Sequence, residues 1–300
     1  MTRGYSTEQI REKLIDVLSQ SKIGLTGIEI AEKLNVNRVT MAKYLKVFAA
    51  ESLIKQKNIG NVNLWFIEKG VDQLSFPADL FQVKNRYLEY VLSAASHEAH
   101  NLIRTSLHSG ANTSKLVSEV IVSAIDAVEN SYKNGKIGKS EKNLLDEIIS
   151  SSLYLIRLSE KEVNPKKNVV VLSTDYQNSL LALAASTAFH AEEWKVSLLG
   201  DMSSAIDVMF DIDLQRFLNK VWPKREGIMI IAIFSTAENL TKFFSQAVVG
   251  SRGKFGKNLY LALCNKNAKK SKVVAADFIS DDMEKLLQWS QTVFASSQNQ

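Results

Sequence analysis

The chain has 300 residues, 45% of them hydrophobic, and carries a formal net charge of +5, a mild basic excess that allows nucleic-acid binding without requiring it. That length is enough for two or three domains with cores of their own, and a lone cysteine, Cys264, excludes an intramolecular disulfide framework and a four-cysteine zinc site. No apolar run approaches the roughly 18 residues of a membrane span, and the start MTRGYSTEQIREKL is polar rather than a secretory leader, so a cytoplasmic chain without membrane contact is expected.

Ser6 or Thr7 can cap a first helix in which Ile10, Leu14, Ile15 and Leu18 recur at helical spacing, with Gly24 as its stop. Thr26 followed by Glu29 fits a capping box opening a short second helix, GIEIAEKL. Asn35-Val36-Asn37 makes a tight turn, and Asn37 can cap a third helix whose Met41, Leu45 and Phe48 share one face. LIKQKNI and NVNLWFIEK are β-prone runs separated by Gly60-Asn61, a hairpin signal. Short helix, turn, longer helix and hairpin is the order of a winged helix-turn-helix over residues 1–72.

This order resembles the winged-helix regulators of archaea and bacteria, and the resemblance implies binding to double-stranded DNA. The exposed face of the third helix would carry Arg38, Thr40, Lys43, Tyr44 and Lys46 toward base edges and phosphates. On the hairpin, Lys55, Lys57, Asn61 and Asn63 would meet backbone or minor groove. Trp65 and Phe66 read as hairpin packing, and a solvated charged face or a protein-docking module is the competing account of the basic residues.

After Ser75-Phe76-Pro77 the period is helical from about 78 to 162: one long helix near 78–108, a second over 113–134 and a third over 140–160. Short loops between them predict an antiparallel bundle, with Phe81, Tyr87 and Tyr90 either in its core or at a dimer seam. From 166 to 296 apolar runs (NVVVLSTD, KVSLLGD, GIMIIAIFST, NLYLALCN, VVAADFIS) alternate with helical stretches near 179–193, 203–222, 237–250 and 281–295. That alternation predicts a parallel, Rossmann-like (flavodoxin-like) sheet with helices on both faces. The whole is α/β with all-α parts. Ligands in such sheets sit beyond the carboxyl ends of the strands, here at Ser173-Thr174-Asp175, Leu199-Gly200-Asp201 and Ser235-Thr236. GSRGKFGKN, residues 250–258, is basic and glycine-rich but lacks the Lys-Ser/Thr pair of a phosphate loop and reads as a flexible strand-leading loop.

Bundle plus α/β domain, with phrases such as KVSLLGDMSSAIDV, resembles the cobalamin-binding module of methyltransferase corrinoid proteins and of light-responsive B12-dependent repressors. In the latter a DNA-binding domain precedes the same pair. The family's Asp-x-His-x-x-Gly loop would fall on Asp175 to Leu180, with Gln177 where the cobalt-ligating histidine would be and Leu180 for the glycine. The serine after the third strand would be Ser235, following an insertion near 211–225. The Gly-Gly pair that makes room for the nucleotide tail would fall near Cys264-Asn265, and the Trp-x9-Glu-His pattern over the ring on Tyr132, Lys142 and Asn143. An amide lacks the imidazole nitrogen of a good axial ligand, so these departures argue against histidine-on cobalamin and no cofactor is expected. The four histidines, at 97, 100, 108 and 190, have no sharp ligand spacing, and no metal is expected either.

The chain therefore reads as a one-component, dimeric or higher-order DNA-binding transcriptional regulator rather than an enzyme. Its C-terminal module would sense an unknown small-molecule effector or dimerise, with Asp175, Gln177, Ser235, Thr236, Tyr132 and Asn143 as candidate ligand contacts. The alternatives are a corrinoid-type carrier or methyl-transfer protein and a docking scaffold that uses the winged helix.

Overall fold

The computed structural model describes residues 7–19, 21, 24–51, 53–59, 62–67, 74–158, 162–205, 209–264 and 276–298. The chain divides into two compact units, residues 1–74 and 75–300.

In the first unit, α1 (Thr7–Ser19), β1 (Leu25–Thr26), α2 (Gly27–Leu34), α3 (Arg38–Ala50), β2 (Lys55–Ile59) and β3 (Val62–Phe66) follow in order. The strands form an antiparallel sheet in the order β1-β3-β2. The capping box is made: Glu29 N–H donates to Thr26 Oγ1 at 3.2 Å, and Thr26 N–H to Glu29 Oε2 at 2.7 Å. Asn35 closes α2 in the left-handed region, and Val39 N–H donates to the Asn37 side chain at 2.9 Å. The core gathers Ile10, Leu14, Ile30, Met41, Leu45, Phe48 and Trp65. β1 is an addition to the sequence reading, which placed no strand there. Its two residues are too few to show periodicity, and it exists because Leu25 and Thr26 pair with Trp65 and Leu64.

The second unit opens with α4 (Leu80–Leu92), α5 (Ser96–His108), α6 (Thr113–Lys115), a π-helical stretch (Leu116–Ile121), α7 (Val122–Lys133) and α8 (Lys139–Arg157). The single long helix expected over 78–108 is two helices. Ala94 takes a positive φ of 54° and Ala95 N–H donates back to Tyr90 O at 2.8 Å, a helix-ending turn made without glycine or proline. Tyr87 is fully buried, whereas Phe81 is 72% exposed.

The α/β part follows in the same unit: β4 (Asn164–Ser173), α9 (Ser179–Ala191), β5 (Trp194–Asp201), α10 (Phe210–Val221), β6 (Ile228–Phe234), α11 (Glu238–Phe255), β7 (Leu259–Cys264), β8 (Phe278–Ser280) and α12 (Met283–Ser297). All neighbouring strands are parallel, in the order β5-β4-β6-β7-β8. The second strand of the series thus lies outside the first, and the order reverses between β4 and β6, where ligands collect in such sheets. Gly227 lets β6 begin beside β4: its φ is +67°, and a Cβ there would lie 2.0 Å from Lys166 O.

One face of the sheet packs Val170, Leu172, Ile231 and Ile233 against Phe210, Leu214 and Phe244 of α10 and α11. The other is covered by α9, which touches β4 and β5 on one side and α8 and the π-helical stretch on the other. This explains the sequence LALAAST: a helix enclosed on both sides is apolar all round, and its alanines let sheet and bundle approach closely. The basic stretch at 250–258, expected as a loop, is helical as far as Phe255. The buried stripe Phe244, Val248, Ser251 and Phe255 fixes α11 despite Gly250 and Gly253. No described helix is long and apolar enough to cross a membrane.

Candidate functional site

Between the bundle and the carboxyl ends of the strands lies a cleft of about 300 Å³. Its floor is the turn after β4, a short 3₁₀ segment at Tyr176–Asn178 leading into α9, with Gln177, Leu180 and Leu183 turned toward the space. Ile125 and Leu198 give it further apolar wall, and the rings of Tyr154 and Tyr176, 55% and 60% exposed, stand at its border. Opposite the floor, α7 and α8 present a charged group. Lys142 Nζ lies 2.5 Å from Asp146 Oδ2 and 3.4 Å from Glu129 Oε2, and Glu129 also meets Lys133 at 3.2 Å. Burial alone would lower the Lys142 pKa, but the hydrogen bond and charge of Asp146, with those of Glu129, outweigh it and hold the ammonium above the usual lysine range.

Asp175 does not line the cleft; it builds the floor from behind. Its carboxylate receives Asn178 N–H at 2.9 Å and the Asn178 side-chain amide at 2.7 Å. It also receives the Thr236 N–H and hydroxyl, each at 3.0 Å. The last two bonds cross the point where the strand order reverses. Ser235 is buried beneath, accepting from Thr174 Oγ1 at 2.5 Å and donating to Ala237 O at 3.1 Å. Of the six expected ligand contacts, Gln177 and Thr236 line the cleft, and Asp175 and Ser235 support it. Tyr132 lies aside, its ring 5.8 Å from Lys139 Nζ, which also faces the Tyr176 ring at 5.4 Å. Asn143 is exposed on α8 outside the lining. The sequence reading left Glu129, Asp146 and Tyr154 unmarked. Their signal was available only as inward positions of α7 and α8, since carboxylates at helical spacing are ordinary on solvated faces.

A second, smaller pocket, of about 30 Å³, adjoins it between the ends of β6 and β7 and the start of α12. Phe234, Cys264, Ser280 and Met283 line it, and it shares Asp126, Asn178 and Leu181 with the cleft. Burial pushes the Cys264 thiol well up, so it stays protonated. No cluster of three or more histidine, cysteine or acidic side chains suited to a metal occurs among the described residues.

In the first unit, Arg38, Thr40, Lys43 and Lys46 are exposed along α3, Lys55 and Lys57 along β2, and Asn63 on β3. Tyr44 is half-buried against Phe48, ring centroids 5.8 Å apart. Arg38 is held by Glu32 at 2.8 Å. Asn61 lies outside the described residues.

No family model and no curated protein matches the chain. Among solved structures, a monomethylamine corrinoid protein of Methanosarcina barkeri superposes with a TM-score of 0.52 at 9% identity, over 71% of this chain and 99% of that one. A methanol:cobalamin methyltransferase complex from the same organism matches at 13% identity over 76% and 84%, with a TM-score of 0.37, which adds nothing to the assignment. The first likeness establishes the fold: helical bundle and Rossmann-like sheet as in a corrinoid protein. It overturns the expectation that the module has no cofactor. That expectation weighed a few substituted side chains at 132, 142, 177 and 264, whereas the superposition compares the whole framework around the cleft. A flat macrocycle suits the apolar floor and the bordering tyrosines. A histidine-ligated cobalt does not, because the cleft presents the amide of Gln177 at the floor.

Proposed function

We propose that residues 75–300 bind a corrinoid in the cleft between bundle and sheet, so that this part of the chain acts as a corrinoid-type carrier or sensor. The observation that carries the reading is position. The cleft lies over the reversal of strand order, beneath a helical bundle, in a fold shared with a corrinoid protein. Leu180, Leu183 and Leu198 would bear the ring, Tyr154 and Tyr176 would flank it, and Lys142 with its carboxylates would face its amide side chains. A bound corrinoid would supply a cobalt centre able to take up and release an axial group. With Gln177 below, the protein offers that cobalt no imidazole.

The test is the electron paramagnetic resonance of cob(II)inamide added to the full chain. The wild type should bind it without nitrogen splitting, and Gln177→His should add the splitting of one coordinated imidazole. Binding by both proteins with identical spectra would show that the ring does not face residue 177.

A second observation supports a role for the first unit. Its helix-strand-helix-helix-strand-strand order, with sheet β1-β3-β2, supports a winged-helix reading. Of its exposed cations, Arg38, Lys43 and Lys46 fall on the third helix and Lys55 and Lys57 on the hairpin, with Lys13 and Lys33 on the two preceding helices. On this reading the unit docks α3 in the major groove of double-stranded DNA, two copies of the chain occupy a two-fold operator, and the chain is a corrinoid-responsive regulator without catalytic activity of its own.

A further inference from the structure

Asn178 is the only residue of the 3₁₀ turn that is buried, 8% exposed, and it borders both the cleft and the smaller pocket. It is also fixed in place. Its side-chain amide donates to both oxygens of Asp175, at 2.7 and 2.9 Å, and its backbone N–H to the same carboxylate at 2.9 Å. Asp175 is anchored in turn on Thr236. The side chain therefore stands at the boundary between a cleft of about 300 Å³ and a neighbouring pocket of about 30 Å³.

Resting on the corrinoid reading above, we infer that the cleft selects corrinoids without a nucleotide tail, of the cobinamide class, and that Asn178 is the residue that sets this selectivity. Cobalamin carries a nucleotide loop ending in a bulky benzimidazole. If that base stays folded under the ring it must fit between the ring and the floor formed by Gln177 and Leu180. If it extends, its path toward the strand ends runs through Asn178 into a pocket too small to hold it. Cobinamide has the same ring and amides and lacks the tail, so neither obstruction applies.

The experiment is equilibrium dialysis of the full chain against aquacobinamide and aquacobalamin separately, with wild type, Asn178→Ala and Asn178→Ser. The wild type should bind cobinamide at least about tenfold more tightly than cobalamin. Both variants should narrow that ratio through tighter cobalamin binding relative to cobinamide, with their melting curves as the check that the fold survives. Equal affinities in the wild type, or tighter cobalamin, overturn the inference while leaving the corrinoid reading standing. A wild-type preference that persists unchanged in variants still binding cobinamide overturns the role of Asn178. Binding of neither compound overturns the corrinoid reading, and the inference with it.

Discussion

The Asp175 carboxylate joins the turn after β4 to the turn after β6, receiving the Thr236 N–H and hydroxyl at 3.0 Å each. β4 and β6 are adjacent strands whose connection passes through α9, β5 and α10, so this contact fixes the geometry of the cleft floor across a long stretch of chain. Asp175→Ala should destabilise the second unit by about 2 kcal/mol, through lost charge-assisted hydrogen bonds, a fall in melting temperature of roughly 4–8 °C. Asp175→Asn, which keeps one acceptor oxygen, should lose about half as much. An unchanged melting curve for Asp175→Ala would show that the turns hold themselves.

Lys142 gives a prediction in pH. Its raised pKa means that its contribution to stability is complete below the ordinary lysine range and is lost as pH rises through the folded value. Lys142→Met leaves Glu129 and Asp146 without their shared cation. Breaking a fully buried pair costs about 3–5 kcal/mol, but these carboxylates border an open cleft, so a loss of about 1–2 kcal/mol is expected near neutrality. Melting curves from about pH 7 to pH 11 should show the wild type losing this margin at the alkaline end. Parallel curves for the two proteins would contradict the assignment.

Arg38 and Glu32 are both well exposed, 64% and 63%, so their ion pair adds little to stability. Glu32→Ala should leave the melting temperature unchanged and strengthen DNA binding by freeing the guanidinium. Lys43→Ala should weaken binding and reduce the salt dependence by about one phosphate contact. Fluorescence anisotropy on duplexes selected from a random pool, across a salt series, reads both effects. Salt-insensitive binding would contradict the winged-helix reading.

Gly227 allows no side chain. At φ +67°, with Lys166 O at 2.0 Å from the position of a Cβ, Gly227→Ala requires β4 and β6 to separate. A loss of more than about 3 kcal/mol is expected, measurable by denaturant titration. A loss below about 1 kcal/mol would mean that this strand start relaxes at little cost.

The parts of the fold that follow from repetition were legible in the sequence. The β-branched run at 168–173, the apolar run at 228–234 and the helical periods of α7 and α8 each carry their own pattern, and Thr26 and Glu29 mark the start of α2 by themselves. Features that carry no residue pattern of their own were not legible. The break at Ala94 carries no turn residue, β1 depends on a strand forty residues away, and α11 continues through two glycines because of what it buries. The candidate site divides the same way. Asp175, Gln177 and Thr236 could be found at strand ends, because position in the alternation selects them. Glu129, Asp146 and Asn178 matter through what stands opposite them, which one-dimensional spacing does not record. The cofactor expectation failed for a related reason: it judged a framework by the side chains that differ.

The central claim is that the cleft binds a corrinoid. The most direct measurement is the stoichiometry of aquacobinamide bound by the full chain, read from corrin absorbance after equilibrium dialysis, with Leu183→Arg as a companion because Leu183 lines the cleft floor. The account predicts one equivalent per wild-type chain and a strong loss in the folded variant. No bound corrin in the wild type, or equal binding by the variant, would contradict it.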